Sequence, residues 1–356
     1  MGSNNPEQNK IVGALTFPTR SEDNAQTAPV QPRQPRNLQG LLRFAMEATK
    51  AEDAPGNSEF GPMDEERRKF LEEALKSLTV NVAEVLQKAI TTLTNTEKIH
   101  SIQLGQPLPD DVDTAFNNLL EFIDQIDTAN DFYKMGGFAM FPIAYGSEND
   151  DIRARASSVL AELCQNNPFC QARAHECGLL NVLLNLVQSE RGNALTKCLY
   201  ALSCATREYE PACRELVAQG GCEALAQLLR TPETSARTKV AFFIRYLCHN
   251  CPEAKEQFIN LNIVAIIAEQ IKTCRDASTE HLLSTLVSLT EGMPPEVVRQ
   301  CRDPSIGLQK IIDDHLKLLE LEGDRYREEK EYCQLLKQMF ENCPPVENVC
   351  EEVADR

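Results

Sequence analysis

Gly178-Leu-Leu-Asn-Val-Leu-Leu-Asn-Leu-Val187 is followed 42 residues later by Gly220-Gly-Cys-Glu-Ala-Leu-Ala-Gln-Leu-Leu229, and this pair of segments decides the fold. Each opens on a glycine that can take positive φ and continues with apolar residues at helical spacing. Gly136 and Asn262 extend the series on either side at the same interval. The apolar positions keep step: Phe138, Leu180, Cys222 and Val264; Phe141, Leu183, Leu225 and Ile267; Tyr145, Val187, Leu229 and Ile271. Leu163 and Leu247 stand two periods apart, and Leu289 one further. A fixed period that retains size and apolarity is the signature of stacked repeats, and this length suits three helices, the armadillo class, rather than the shorter tetratricopeptide or ankyrin units.

Each unit reads as a short helix ending at Gly or Asn, an apolar second helix, a polar turn and a longer third helix. One unit cannot bury its apolar faces alone, so neighbours stack; the expectation is an all-α, right-handed armadillo-repeat solenoid whose third helices line a concave groove. About five units are expected over 110–312, the fifth degenerate because Met293-Pro294-Pro295 and Asp303-Pro304 interrupt it. A helix from about Ile306 to Leu321 and another from Tyr326 to Phe340 are expected to close the stack, with a C-terminal cap over 313–343 and a flexible tail over 344–356.

Upstream, Pro62 and the acidic Glu65 and Glu66 announce a helix near Asp64, continued by Phe70, Leu71, Ala74, Leu75 and Leu78. With the amphipathic stretch from Val82 to Leu93 it forms an expected N-terminal cap over 63–109. Residues 1–62 read as a flexible arm, since 1–36 are rich in Asn, Gln, Pro and Thr and carry few large apolar groups. Near 37–48 the arm holds a short amphipathic helix that puts Leu38, Leu41, Leu42 and Met46 on one face, either as a tethered docking element or as a turn packed on the body.

Composition narrows the function. The chain has 356 residues, 42% of them apolar, only 6% aromatic and none Trp, which favours helices over strands. A net charge of −17 argues against a grip on nucleic acid or on an anionic membrane surface. No apolar run is long enough to span a bilayer and the N-terminus is unlike a secretory signal, so the expected place is the cytoplasm, with the nucleus open as a second compartment.

Fourteen cysteines without an Asn-x-Ser/Thr sequon read as reduced, buried thiols, and several occupy packing positions of the repeat. Cys248-His249-Asn250-Cys251 holds a CxxC, and Cys164, Cys170 and Cys177 cluster, but no second CxxC or paired His completes four zinc ligands. Five scattered histidines, no Gly-x-Ser-x-Gly elbow and no phosphate-binding glycine loop leave no catalytic or nucleotide signature. The expectation is a non-enzyme with neither cofactor nor metal.

What rises above background is a basic series on the third helices: Arg155, Lys197, Lys239 and His281, again 42 residues apart. Equal register implies a ladder across one face, able to engage acidic groups on a partner; the plain alternative is solvated residues at helix starts whose aliphatic stems cover the core. Along the same helices Ser158 and Glu162, Tyr200 and Cys204, Phe242 and Tyr246, and Ser284 and Ser288 are pairs spaced by four, each sharing a face. Phe242 is either an interface anchor or a core residue on this reading. Armadillo transport receptors hold basic peptides with repeated Trp and Asn, and the lack of Trp makes that role unlike this chain's.

Pro35-Arg-Asn-Leu-Gln-Gly-Leu-Leu42, Met63-Asp-Glu-Glu-Arg-Arg68, Ala129-Asn-Asp-Phe132, Gly307-Leu308 and the helix from Tyr326 to Cys333 appear together and in order. In this the chain resembles the metazoan heat-shock-protein-70-binding family, the armadillo-type nucleotide-exchange factors of 70-kDa heat-shock chaperones. The resemblance implies a monomeric co-chaperone whose concave face embraces one lobe of the chaperone's ATPase domain, opens the cleft that holds ADP and so frees the client. It also implies that the N-terminal arm competes with clients at the chaperone's peptide site. The alternative on the residues alone is an armadillo scaffold that binds a chaperone, client or ubiquitin ligase without nucleotide exchange; a metal-dependent enzyme built on the cysteines is a third class.

Overall fold

The computed structural model describes Glu65, Lys69 and residues 81–273, 275–321 and 326–342. The arm with Leu38, Leu41 and Leu42, most of the first cap helix and the tail after 343 lie outside the described residues. The elements below all fall within 74–356, one compact unit.

The chain folds into α-helices with no strand among the described residues. From residue 81 onward the described elements open with three helices, α1 (Val82–Leu93), α2 (Thr96–His100) and α3 (Asp110–Phe122). Asn81 and Asn95 cap the first two, each side chain accepting a backbone N–H of its helix's first turn. Four triplets then repeat: α4 (Ile126–Lys134), α5 (Met140–Tyr145) and α6 (Asp150–Cys164); α7 (Pro168–Glu176), α8 (Leu179–Ser189) and α9 (Gly192–Thr206); α10 (Glu210–Ala218), α11 (Gly221–Leu228) and α12 (Thr234–Asn250); α13 (Pro252–Asn260), α14 (Ile263–Thr273) and α15 (Thr279–Thr290). A fifth triplet follows in α16 (Pro295–Cys301), α17 (Leu308–Glu320) and α18 (Arg327–Asn342).

Left-handed backbone links the first and second helices of each triplet. Gly136, Gly178, Gly220 and Asn262 have φ of 84°, 68°, 77° and 52°, and Gly307 takes the same role at 63°. At Gly178 no atom would crowd an added Cβ, so its φ alone is the requirement for glycine. At Gly137 and Gly221 the requirement is space: a Cβ would sit 2.4 Å from the Phe132 ring and 2.6 Å from the Leu216 carbonyl oxygen. Prolines at the starts of α7, α10, α13 and α16 fit where a helix has no use for the first N–H groups.

The periodic apolar residues make the core. Phe141, Leu183, Leu225 and Ile267 are all wholly buried, as are Leu163, Leu247 and Leu289. In the first triplet, where the series carries aromatic residues, Phe138 meets Phe141 edge-on at 5.2 Å and Phe141 stacks on Tyr145 at 5.9 Å. Each such side chain contributes about 1.5–3 kcal/mol by leaving water.

Helix α3 packs on α6, and from there each third helix packs on the next, through α9, α12 and α15 to α18. The helix expected as a C-terminal cap therefore lies in the third-helix layer and completes a fifth triplet, although the repeats were expected to end near 312. The cause is an insertion: the left-handed residue falls at Gly307, three positions after Pro304, where the strict period would put it. The α3 helix, expected as the start of the first repeat, occupies the third-helix place ahead of the first full triplet.

Between repeats the seam is polar as well as apolar. Arg237, 1% exposed, donates to the Thr231 carbonyl, the Ser278 hydroxyl and the Asp276 carboxylate of the following repeat. Arg153, two periods earlier, repeats the arrangement with the Ser147 carbonyl and Glu190. Gln171 and Lys255, also two periods apart, donate to carbonyls at the ends of α9 and α15, which satisfies helix C-termini that would otherwise be left open.

Candidate functional site

The third-helix layer exposes the side chains that the sequence singles out, and their neighbours are set by how adjacent helices cross. At the middle of the layer three contacts join residues 39 apart rather than 42, while toward α3 Arg155 pairs with Asp113, 42 apart. Lys239 lies over the Tyr200 ring at 5.1 Å, Phe242 meets His281 edge-on at 6.2 Å, and Arg245 donates to Ser284 Oγ at 2.6 Å. A residue thus meets a side chain about one helical turn earlier in the next third helix. The expected ladder of direct neighbours, Arg155, Lys197, Lys239 and His281, is broken into separate contacts by this offset.

The four members differ in how their charge is used. Arg155 reaches back to α3, pairing with Asp113 at 2.6 Å, donating to Asn117 at 2.9 Å and meeting Asp151 at 3.5 Å. Lys197 is half-buried and has no ion pair or hydrogen bond among the described residues. Lys239 has an aromatic partner in place of a carboxylate, and His281 stands against Phe242.

Phe242 lies at the surface, 42% exposed, and not in the core. Two clefts meet at it. One, of about 270 Å³, is lined by Gln165, Tyr200, Ser203, Cys204, Arg207 and Lys239 among others. The second, of about 460 Å³, runs past Arg245, Tyr246, Ser284, Ser288 and Glu291 to Tyr332 of α18. Arg207 and Phe242 belong to both.

Arg207, absent from the sequence reading, is the central side chain. Its guanidinium lies 4.7 Å from the Phe242 ring centre and 4.8 Å from that of Tyr246, and its Nε donates to Ser203 Oγ at 2.9 Å. Arg207 follows the last residue of α9, and the next residue, Glu208, turns the chain at φ 58°. The Glu208 N–H donates to the Tyr246 hydroxyl at 2.7 Å, so the ring that carries the guanidinium also holds the turn that delivers it. The Tyr200 hydroxyl donates to Gln165 Oε1 at 2.7 Å. Burial pushes its phenol up to about 12 and raises that of Tyr246, so both are neutral at ordinary pH.

Other expected site residues are less available. Ser284 and Ser288 are buried, the first as the acceptor for Arg245 and the second through its carbonyl, which accepts from Lys255. Ser158 donates back to the Ala154 carbonyl within its own helix. Glu162 is half-buried and close enough to Tyr200 to oppose ionisation of its phenol.

The described cysteines show no reactive setting. Cys248 and Cys251 of the CxxC are both buried, and burial pushes Cys222, Cys248 and Cys301 up to about 12. Cys177 is the exposed thiol among those described. Among the described residues no three of His, Cys, Asp and Glu converge as metal ligands, and no helix is long and apolar enough to cross a membrane.

Comparison with known proteins agrees with this architecture. Residues 38–132 match the family model described as "Nucleotide exchange factor Fes1", and residues 128–242 the one described as "SIL1/FES1/HPBP1 C-terminal domain". Hsp70-binding protein 1 from Mus musculus is 28% identical over 325 residues, covering 88% of each chain; that from Homo sapiens is 28% identical over 326 residues, with 88% and 87% covered. A designed armadillo repeat protein superposes with a TM-score of 0.55 at 11% identity, over 71% of this chain and 99% of its own, which establishes the armadillo fold. The two adjoining family models and the Hsp70-binding protein 1 relatives together support an Hsp70 nucleotide-exchange factor family for this chain.

Proposed function

We propose that this protein is a non-enzymatic nucleotide exchange factor for a cytosolic 70-kDa heat-shock chaperone, acting as a monomer through its third-helix face. That face, taken as the concave side of the solenoid, holds the chaperone's ATPase domain and promotes ADP release, which lets ATP bind and the client leave. The observation that carries the reading is an unbroken third-helix layer, α3 to α18, with exposed aromatic and cationic side chains at its centre, in a chain of this family. Tyr200, Lys239, Phe242 and Tyr246 are its proposed contacts, with Lys197 and His281 beside them.

No catalytic side chain is needed for this. A scaffold that binds the open, nucleotide-poor ATPase domain more tightly than the closed one must weaken ADP by the same factor by which ADP weakens the scaffold. Stacked repeats suit the task because each is braced by its neighbours.

The test is release of fluorescent ADP from a cytosolic 70-kDa heat-shock chaperone with and without saturating protein. Accelerated release is expected. Binding without any change in the release rate would overturn exchange and leave the scaffold reading in its place.

A further inference from the structure

Most arginines described here are matched by a carboxylate. Arg153 pairs with Glu190, Arg155 with Asp113, Arg173 with Glu176, Arg214 with Glu210, Arg237 with Asp276, and Arg299 with Glu296. In a chain of net charge −17 carboxylates are abundant, so an arginine without one stands out; among the described residues Arg191 and Arg302 also lack one, but their guanidinium groups donate to backbone carbonyls.

The twin clefts gather three such cations. Arg207 lies against Phe242 and Tyr246, Arg245 lies 5.7 Å from the Phe242 ring centre, and Lys239 lies over Tyr200. None of them has an ion pair among the described residues. A guanidinium held by ring faces keeps its in-plane N–H groups pointing outward, and only Nε of Arg207 is used, by Ser203. The Nη groups of Arg207 are therefore free to meet a carboxylate side-on through two parallel hydrogen bonds.

We infer that Arg207, Lys239 and Arg245 form an anchor for an acidic surface segment of the partner, whose carboxylates supply the counter-ions that this chain withholds. Phe242, exposed between the two clefts, covers the apolar stem or neighbour of those carboxylates. Tyr246 is a positioning residue: its ring carries Arg207 and its hydroxyl holds the Glu208 turn. The inference rests on the exchange-factor reading for the partner's identity and adds the chemistry by which that partner is recognised.

The test titrates the full-length protein into the ATPase domain of a cytosolic 70-kDa heat-shock chaperone by calorimetry at low and high salt. The variants are Arg207→Gln, Arg207→Lys, Lys239→Gln and Arg245→Gln, with Arg214→Gln as a control that removes the same charge from a paired, exposed site. Urea unfolding of each variant establishes that it is folded. The glutamine variants in the clefts are expected to bind at least about tenfold more weakly and with a shallower salt dependence. Arg207→Lys keeps the charge but loses the planar fork, and should recover only part of the affinity. Arg214→Gln should bind like the parent.

If the parent binds and speeds ADP release while Arg207→Gln and Lys239→Gln bind equally well, the anchor is wrong and the exchange reading stands. Equal weakening by Arg214→Gln would also overturn it, as a general charge effect. A parent that does not bind the ATPase domain at all overturns both.

Discussion

Arg237 and Arg207 carry the same charge in neighbouring repeats, yet one is enclosed in the seam between repeats and the other lies open on the third-helix face. Arg237 is surrounded by the acceptors it needs: a loop carbonyl, a hydroxyl and a carboxylate. Arg207 has two ring faces and one hydroxyl. A charge withdrawn from water is tolerable only when fully paired, whereas a solvated guanidinium on an aromatic face needs no counter-ion until a partner excludes the water. The seam arginine serves the fold, and the cleft arginine is left available for binding.

Stability gives the largest expected effect. Arg237→Ala removes a side chain that is 1% exposed, takes the counter-ion from the Asp276 carboxylate and leaves the Thr231 carbonyl without its guanidinium donor. Urea unfolding should register a loss of about 3–5 kcal/mol, as for other broken buried pairs. Arg153→Ala should fall at the lower end of that range, because its side chain is 15% exposed. A loss under about 1 kcal/mol at Arg237 would mean that the seam is held by apolar packing alone.

Acid should reveal the same seam. Burial works to raise the Asp276 carboxyl, but the Ser278 hydroxyl and N–H, the Thr234 hydroxyl and the Arg237 charge outweigh it and hold it below the usual carboxylate range. A carboxyl whose folded pKa is depressed stabilises fully above its unfolded value, near about 3.9, and loses that contribution as pH falls through the folded value. The stability gap between the parent and Asp276→Asn should therefore be constant near neutral pH and close below about pH 4. A gap that persists in acid would show that geometry rather than charge makes the contribution.

At the cleft the expectation reverses. Phe242→Ala removes a ring that is 42% exposed and whose partners, Arg207, Arg245 and His281, are themselves only half-buried, so unfolding should change by no more than about 1 kcal/mol. Affinity for the ATPase domain should fall about tenfold or more, as for an aromatic anchor at the centre of an interface. If Phe242→Ala unfolds as readily as Arg237→Ala, the cleft is a structural feature and the division between seam and face fails.

The sequence disclosed the seam's apolar half and the face's outline more readily than its arginines. Gly136, Gly178, Gly220 and Asn262 all have the positive φ that their register implied, because left-handed backbone leaves few choices of residue. The fifth repeat escaped because Pro304 occupies the expected position and the left-handed turn slipped to Gly307. Arg153 and Arg237 escaped because they recur at twice the period, with Leu195 between them. Arg207 shares its register with Gln165, His249 and Glu291, four unlike side chains at the ends of third helices. Nothing in such a series marks the one that finds two rings, since that depends on the three-residue offset with which neighbouring helices cross. Arg155 and Lys197, equal in register, have unlike surroundings because the residue one period earlier is Asp113 for the first and Arg155 for the second.

The smallest expected effect lies where the fold and the cleft meet. Tyr246→Phe keeps the ring beneath Arg207 and removes only the oxygen that accepts the Glu208 N–H. That N–H is exposed, so water can replace the hydroxyl, and stability should change by about 0.5–1 kcal/mol. What the substitution frees is the turn at Glu208, whose positive φ is unfavourable for a residue with a side chain and which needs its neighbours to persist. A looser turn makes Arg207 less often poised over the ring, and part of the binding free energy is then spent in ordering it. Affinity should drop by about two- to fivefold, with the salt dependence unchanged because every charge remains. An equal loss in Arg207→Gln and in the double variant Arg207→Gln/Tyr246→Phe would confirm that the hydroxyl acts through the guanidinium. Additive losses would instead give Tyr246 a contact of its own with the partner.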